Sequence, residues 1–317
     1  MPNIICLGEM LVEIMRAKKG VPHIVPDLYK GPYPSGAPCI FIDSAARMGR
    51  DFGLSTGFIG VVGNDDFGQA LLQKLKKDGV DVSQVRIDNT NTTGIAFVQY
   101  NEDGSRKFIF AKGAAGLLSS KDVKENYFNN IKNLHIMGSA LSISESSRKA
   151  CYKAIKISKK KNPNVIISFD PNLRPEMLSI KKIIEICKPV LENTSILLPS
   201  GEEAEMLAGV KGEDNACKKL LEMGPKIVVL KRGKLGCRIY TKDEILEEVG
   251  FAVEEVDPTG AGDSFGGAFI VEYLRNISLK QIMKFSNAVG ALKVTSFGPM
   301  PDHSRKDVEE FLKNFKN

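Results

Sequence analysis

Short runs of β-branched and aliphatic residues alternate with longer segments of helical periodicity along most of this chain. Strand-like runs occur at 4–7, 55–62, 133–137, 165–169, 195–198 and 227–231. Helical patterns occupy 38–48, 67–77, 145–158, 181–191, 202–207 and 264–274. Strands that alternate with helices favour parallel βαβ units. The pattern therefore predicts an α/β fold with a mainly parallel sheet flanked by helices.

Two segments interrupt this alternation, at about residues 11–34 and 93–112. The second contains two apolar runs, 95–100 and 107–110, which flank an Asp103-Gly104 pair and indicate a β-hairpin with an Asp-Gly turn. Strands inserted without helices of their own predict a small sheet that lies over the main domain as a lid. Such a lid would exclude water from a reactive group. An edge extension of the main sheet is the alternative.

Composition bears mainly on what the chain does not bind. The net charge is +6 and the basic residues are scattered, which argues against a nucleic-acid surface. Six cysteines without a Cys-x-x-Cys spacing indicate reduced thiols and a cytoplasmic protein. No run reaches the ~20 apolar residues of a membrane span, so we expect no membrane partner. The 317 residues are interpreted as a single domain, 1–317.

Several common catalytic patterns are missing from the sequence. The histidines, His23, His135 and His303, form no pair with metal-ligand spacing. No Gly-x-Ser-x-Gly elbow is present to supply a hydrolase nucleophile. The chain also lacks a Gly-x-x-x-x-Gly-Lys-Ser/Thr loop and a Gly-x-Gly-x-x-Gly fingerprint. Nucleotide chemistry, if present, must use another kind of loop.

The segment Asp257-Pro258-Thr259-Gly260-Ala261-Gly262-Asp263 offers such a loop, because it leads directly into an amphipathic helix. Its glycines let the backbone turn sharply and approach a ligand, and the helix start offers free N–H groups to an anion. Asp263, beside these groups, can accept a proton from an alcohol that attacks phosphorus. An Asp that merely caps the helix would give the same local pattern. These residues alone leave both interpretations open.

The segment from Asp257 to Phe265 resembles the C-terminal signature of the ribokinase-like, or PfkB, family of carbohydrate kinases. The resemblance covers essentially the whole chain. It implies a ribokinase-like fold with a small β-sheet lid and an ATP-dependent sugar kinase, similar to 2-keto-3-deoxygluconate, fructose or tagatose kinases. Supporting motifs occur in the expected order at 8–9, 35–38, 47–49, 60–68, 93–94 and 170–174.

The resemblance also implies catalytic roles for the Gly-rich loop. Asp263 matches the general base of the family, and the backbone N–H groups of Gly260, Ala261 and Gly262 match its anion hole. Asp257 is expected to order this loop or to approach a monovalent cation, which is a possible cofactor beside ATP and Mg²⁺. The Ser200-x-x-Glu203 segment departs from the family's Asn-x-x-Glu motif, so that Glu203 alone is expected to organise Mg²⁺-bound water.

Further residues are assigned to the two substrates by the same resemblance. Ser35 replaces the usual first Gly of the N-terminal signature, and Ile40 stands where the family has an Asn. A different set of sugar contacts is therefore expected. The residues implied at ATP are Asn172, Lys231, Gly233, Gly236 and Asn287. The residues implied at the sugar are Glu9, Ser35, Gly36, Tyr100, Arg106 and Arg174.

Two other functions remain open at this point. Aromatic residues of the hairpin, including Phe97 and Phe108, keep a nucleoside kinase of the same fold in view, although ordinary hairpin packing explains them as well. A sugar- or nucleotide-binding protein without turnover is the third possibility, against which the intact Asp263 loop argues. The partly apolar hairpin also predicts a homodimer formed through the lid.

Overall fold

A nine-stranded sheet lies at the centre of the protein, in a computed structural model that describes residues 1–103 and 105–315. A second sheet of four strands stands apart from it. The strands of both sheets, in chain order, are β1 (Ile4–Leu7), β2 (Leu11–Arg16), β3 (Tyr29–Ser35), β4 (Thr56–Gly63), β5 (Val80–Asp88), β6 (Gly94–Tyr100), β7 (Arg106–Ala111), β8 (Asn133–Met137), β9 (Ile166–Asp170), β10 (Ile196–Leu197), β11 (Ile227–Lys231), β12 (Cys237–Tyr240) and β13 (Ile245–Glu248).

Helices connect most of these strands, as the alternating sequence pattern predicts. The α-helices are α1 (Ala37–Gly49), α2 (Asp66–Asp78), α3 (Gly138–Ile143), α4 (Glu145–Lys161), α5 (Ile180–Leu191), α6 (Gly201–Ala208), α7 (Glu213–Glu222), α8 (Ala261–Leu274), α9 (Leu279–Val294) and α10 (Arg305–Asn314). Short 3₁₀ turns occur at Arg50–Phe52, Gly113–Leu117, Glu125–Phe128 and Gly233–Leu235. No helix in the described part of the chain combines the length and the apolar character needed to cross a bilayer.

The main sheet has the strand order β13-β12-β11-β10-β9-β8-β1-β4-β5. Its strands from β11 to β5 pair in parallel, whereas β12 and β13 pair antiparallel at one edge. Every residue of β1, β4 and β8 is buried, because helices cover both faces of the sheet. The predicted ribokinase-like α/β fold, with a mainly parallel sheet flanked by helices, is confirmed.

The four-stranded sheet has the order β3-β2-β6-β7, with β2 and β6 parallel and the other pairs antiparallel. The hairpin strands β6 and β7 thus belong to a separate sheet, and the alternative of an edge extension is wrong. Gly104 of the expected turn lies outside the described residues. Met15, Val98 and Tyr100 form a small core of this sheet, against which Phe297 of the main domain packs. The lid role of this sheet stays a prediction.

Helix α8 is buried along most of its length and packs closely against α1 and α9. A Cβ added to Gly267 would lie only 2.8 Å from the Ala45 backbone nitrogen, so the absence of a side chain permits this close approach to α1. The start of α8 is thereby fixed beside the carboxyl ends of the central strands. In a parallel sheet this edge is the usual place for a binding site.

The segment just before α8 is held by a neighbouring helix. Residues 253–256, in which two valines flank two glutamates, form no strand. Instead the backbone N–H groups of Val256 and Asp257 both donate to the Val294 carbonyl at the end of α9, at 2.8 and 3.1 Å. Contacts with a neighbouring helix, and not a sheet ladder, therefore hold this segment in place.

Candidate active site

The first turn of α8 carries the predicted base. Gly260 is the N-cap residue, with φ of 81°, and no side chain caps the helix. Asp263 follows in the first turn and is 8% exposed, and no described residue donates a hydrogen bond to its carboxylate. The helix-capping interpretation of Asp263 is therefore wrong. A buried carboxylate without a donor is costly unless it has a functional partner.

Cationic side chains act electrostatically on this carboxylate. Burial raises the pKa of Asp263 above its ordinary value, while Lys231, Arg174 and Arg106 oppose that rise. These three residues come from distant parts of the sequence, and the fold brings them to one place. A carboxylate with a raised pKa is a better proton acceptor than an ordinary one.

The loop before α8 presents its backbone to the same place. A Cβ added to Gly262 would lie 3.4 Å from Lys231 Nζ, so the bare backbone leaves room beside that ammonium group. A Cβ on Gly260 would come within 2.8 Å of the Pro299 carbonyl oxygen, and only glycine readily adopts its left-handed conformation. The Ala261 N–H donates to the Pro258 carbonyl at 3.3 Å. The remaining N–H groups of the first turn are available to an anion.

Lys231 makes an ion pair that was not predicted. Its Nζ contacts Asp170 Oδ2 at the carboxyl end of β9, where both groups are largely buried. Burial lowers the pKa of Lys231, but the carboxylates of Asp170, Glu203 and Asp263 together outweigh this effect and raise the pKa overall. Lys231 is therefore a fixed positive charge between Asp170 and Gly262. In the sequence, Asp170 is an acidic residue directly after a predicted strand, and this pattern could have marked it as a site residue.

Asp257 organises the loop through both of its carboxylate oxygens. Oδ1 accepts hydrogen bonds from the Thr259 N–H at 3.0 Å and from Tyr100 Oη at 2.9 Å. Oδ2 accepts one from the Gly298 N–H at 2.9 Å. Arg106 of β7 reaches Thr259 Oγ1 at 3.3 Å. Two predicted sugar contacts, Tyr100 and Arg106, thus also connect the small sheet with the loop that precedes α8.

The predicted sugar side contains buried carboxyl groups. Glu9 and Glu13 are both buried, and burial raises the pKa of each to about 7. Their Oε2 atoms have no hydrogen-bond partner among the described residues. Ser35 Oγ donates to Glu13 Oε1 at 2.8 Å, so its hydroxyl orients Glu13. A Cβ on Gly36 would lie 2.6 Å from the Glu9 carbonyl oxygen, which explains the glycine at the start of α1.

Glu13 was missed by the sequence analysis. It stands in the strand Leu11–Arg16, where its neighbours are apolar and buried. A charged residue inside a buried strand is unusual, and this was the available signal. The pKa of Glu13 also responds to Arg106, Asp257 and Arg174, which places it near the centre of the same polar cluster.

The residues predicted near the metal and the phosphates meet around Glu203. Its Oε1 accepts a hydrogen bond from the Leu173 N–H at 2.8 Å, and its Oε2 accepts from Ser200 Oγ at 2.7 Å. Asn172 has a positive φ of 37°, and its Oδ1 is buried without a partner in the described chain. Arg174 lies two residues after Asn172. Oε2 also accepts from the Ser200 N–H at 2.9 Å, which closes the capping box of α6. Oε1, with one donor, retains a lone pair for a further donor such as a metal-bound water.

Three predicted nucleotide residues lie near the end of β13. Asn287 Nδ2 donates to the carbonyl groups of Glu248 and Val249 at 3.2 and 3.1 Å. A Cβ on Gly236 would overlap the Glu248 carbonyl, whereas one on Gly233 would meet nothing within 4 Å. Gly236 and Asn287 therefore both lie against the Glu248 carbonyl group. Gly233 lies on a 3₁₀ turn and has free space beside its backbone.

Known proteins resemble this chain over nearly its whole length. The model of the pfkB family carbohydrate kinases matches residues 1–306. A protein of Arabidopsis thaliana named probable fructokinase-5 is 33% identical over 311 residues, which cover 95% of this chain and 94% of that protein. A putative ribokinase II from E. coli, crystallised with ATP and Mg²⁺, is 40% identical with a TM-score of 0.91, and the match covers 99% and 100% of the two chains.

A fructokinase from Vibrio cholerae O395, with fructose, ADP and calcium bound, is 25% identical with a TM-score of 0.83, and the match covers 98% of this chain and 99% of that one. The family match extends across the Asp263 loop and the small sheet. The chain therefore belongs to the pfkB family of carbohydrate kinases, and it is a sugar kinase, a phosphotransferase that acts on an alcohol group.

Proposed function

We propose that this kinase transfers the γ-phosphoryl group of ATP to a hydroxyl of fructose or a closely similar ketohexose, with Asp263 as the general base. The observation that carries the proposal is the buried Asp263 carboxylate, which has no described donor and lies at the start of α8 among three cationic side chains. A substrate hydroxyl is the donor that this carboxylate lacks.

In the proposed step the sugar oxygen attacks the γ-phosphorus while its proton moves to the Asp263 carboxylate. The bond from the γ-phosphorus to the bridging oxygen breaks, and ADP leaves with that oxygen. Negative charge is spread over the phosphoryl oxygens during transfer. Lys231, Arg174 and the first-turn N–H groups of α8 would stabilise this charge, because fixed dipoles and charges need no rearrangement.

Mg²⁺ fits this site as an ion held mainly by nucleotide phosphates. Among the described residues no group of three or more acidic, His or Cys side chains forms a metal cage. Mg²⁺ keeps several waters and takes only one or two carboxylates from protein, so Glu203 is a sufficient partner through water. When bound, the ion would neutralise phosphate charge. Asn172 and Arg174 lie beside Glu203 and would contact the phosphates.

The buried carboxyl groups support a neutral sugar. Glu9 Oε2 and Glu13 Oε2 are unpartnered acceptors, and sugar hydroxyls are donors that would satisfy them. The fructokinase relatives support a ketohexose in particular. A sugar acid such as 2-keto-3-deoxygluconate would instead place its carboxylate against Arg106 or Arg174. These two arginines keep the sugar acid as the second candidate substrate.

The small sheet would close over the sugar and also bind a second copy of the chain. Its strand β6 alternates between buried residues, which face the main domain, and partly exposed ones. Ile14, Phe97 and Ile109 form a cross-strand row on the outer face.

All six cysteines are free and buried, which supports the proposed reducing cytoplasm.

A panel of acceptors tests the proposal through coupled detection of ADP. It should contain fructose, tagatose, 2-keto-3-deoxygluconate, ribose and adenosine, each with ATP and Mg²⁺. We expect the highest kcat/KM with fructose or tagatose. A preference for 2-keto-3-deoxygluconate would show that the substrate is the sugar acid. A preference for adenosine would overturn the proposed sugar substrate. Binding of ATP without turnover on any acceptor would indicate a binding protein.

A further inference from the structure

A lysine is buried beneath the catalytic loop. Lys293 lies near the end of α9 and is 2% exposed. Its Nζ donates to the Asp257 carbonyl oxygen at 2.7 Å and to the Ser296 carbonyl oxygen at 3.5 Å. Asp257 Oδ2 lies 3.7 Å from the same nitrogen. The three donors of the ammonium group thus face three oxygens.

These oxygens belong to the segments that hold the loop. Asp257 is the residue whose carboxylate accepts hydrogen bonds from Thr259, Tyr100 and Gly298. Burial lowers the pKa of Lys293 to about 8, although the carboxylates of Asp257 and Glu13 oppose the shift. The side chain is therefore mostly charged at pH 7, and its charge lies directly behind the loop.

Asp257 was expected either to order the loop or to approach a monovalent cation. The residues present do not fit such an ion at this position. A monovalent cation at this position would be bound by the carbonyl and carboxylate oxygens of Asp257. Lys293 Nζ already contacts these oxygens. A second positive charge placed among them would be within contact distance of the ammonium, and like charges at that separation repel strongly in a buried site.

We propose that Lys293 is a fixed cation that positions the loop from Asp257 to Asp263, so that phosphoryl transfer needs no monovalent metal ion. It acts through Asp257 and does not touch the substrates. This inference rests on the proposed function, because that function makes the loop the site of the transferred phosphoryl group.

The first experiment uses the unmodified enzyme. Turnover and melting temperature are measured in choline chloride and in KCl, NaCl or NH₄Cl at equal ionic strength. We expect both quantities to be the same in all four salts. Stimulation of turnover specifically by K⁺, Na⁺ or NH₄⁺, or a melting temperature raised specifically by one of them, would overturn the proposal.

The second experiment removes the buried ammonium group with the variant Lys293→Met. The matched control is Lys284→Met, which alters an exposed residue of α9. In choline chloride, kcat of Lys293→Met should fall on the order of 10- to 100-fold, because the loop is misplaced. KCl or NH₄Cl should restore part of kcat and raise the melting temperature, whereas Lys284→Met should respond to neither. A Lys293→Met variant with full activity in choline chloride, or one that no cation improves, contradicts the inference.

Two outcomes separate this inference from the proposed function. If the enzyme phosphorylates no sugar in any salt, the proposed function fails, and the melting temperatures of the two variants in KCl and choline chloride still decide the role of Lys293. If Lys293→Met does not fold, the comparison of salts with the unmodified enzyme decides it.

Discussion

The Tyr100 hydroxyl donates a hydrogen bond to Asp257 Oδ1 at 2.9 Å and so connects the small sheet to the loop that precedes α8. Because the loop carries the proposed base, closure of the sheet over a sugar and alignment of the base are expected to be coupled. Such closure steps complete many kinase sites.

Replacement of Tyr100 by Phe tests this coupling. The variant leaves one Asp257 acceptor short of a donor, so the free energy of unfolding should fall by about 1 kcal/mol. In addition, kcat/KM for the sugar should fall, because the loop and the sheet lose their shared contact. Steady-state kinetics and urea denaturation give the two quantities.

Tyr127→Phe is the matched control for that variant. Tyr127 is also buried and donates its hydroxyl to the Asp81 carbonyl at 3.2 Å, outside the described site. It should lose similar stability and keep its kcat/KM. Equal kcat/KM values for the two variants would show that the Tyr100 contact is only structural.

The buried carboxyl groups predict how stability depends on pH. The pKa of Glu9 and of Glu13 is about 7 in the folded protein, against an ordinary value of 4.5. Between these values the folded state binds more protons than the unfolded state, so the free energy of unfolding should decrease as pH rises from 4.5 to 7. The two groups together should contribute a loss of roughly 5 kcal/mol.

Urea denaturation at several pH values measures this slope. The Glu9→Gln/Glu13→Gln double variant lacks both titrating groups, and its stability should change less across the same pH range. An unchanged slope in the double variant would mean that these carboxyl groups ionise normally in the folded protein.

The Asp170–Lys231 pair predicts different effects for single and double variants. Lys231→Met leaves the Asp170 carboxylate buried without its partner, which should cost about 3–5 kcal/mol of stability. The Asp170→Asn/Lys231→Met double variant should recover most of that stability but not kcat, because Lys231 is also proposed to stabilise the transferred phosphoryl group. Thermal denaturation and kinetics measure these two effects.

A second buried ion pair provides the comparison. Lys74 and Asp78 lie 2.7 Å apart on α2 and are both mostly buried. The Lys74→Met/Asp78→Asn double variant should keep kcat unchanged. Full activity of the Asp170→Asn/Lys231→Met variant would remove Lys231 from the catalytic account.

The outer face of the small sheet predicts a dimer. Ile109 is 50% exposed and continues the row formed by Ile14 and Phe97. Light scattering should give a mass near twice the 34.7 kDa of one chain. Ile109→Lys should shift the protein to the monomer, whereas Ile245→Lys, which alters a similarly exposed residue on β13, should not. A monomeric unmodified protein at micromolar concentration would contradict the interface.

Much of the fold followed from local sequence patterns. The strands at 4–7, 133–137 and 227–231 have the predicted bounds, because continuous apolar runs between helices mark buried parallel strands. Residues 253–256 also contain valines, but they form no strand, and the Val256 and Asp257 N–H groups donate to the Val294 carbonyl of α9. No local pattern distinguishes a helix contact of that kind from a sheet ladder.

The candidate site was predictable only where its residues are contiguous. Gly260 to Asp263 form one motif, whose spacing alone left an anion-binding helix start with a base and a simple helix cap both open. Glu13, Asp170 and Lys293 are single charged residues in separate elements, and only the fold brings them to the loop. Lys293 stands at the end of a helix, where a lysine ordinarily reaches solvent and carries no signal of burial.

The replacement of Asp263 by Asn tests the central claim most directly. With the best sugar of the panel, kcat should fall on the order of 10²- to 10⁴-fold, because the amide cannot accept the hydroxyl proton. The dissociation constant of ATP, measured by calorimetry, should stay near that of the unmodified enzyme and would show that the site is intact. Turnover close to that of the unmodified enzyme would contradict the assignment of Asp263 as the base.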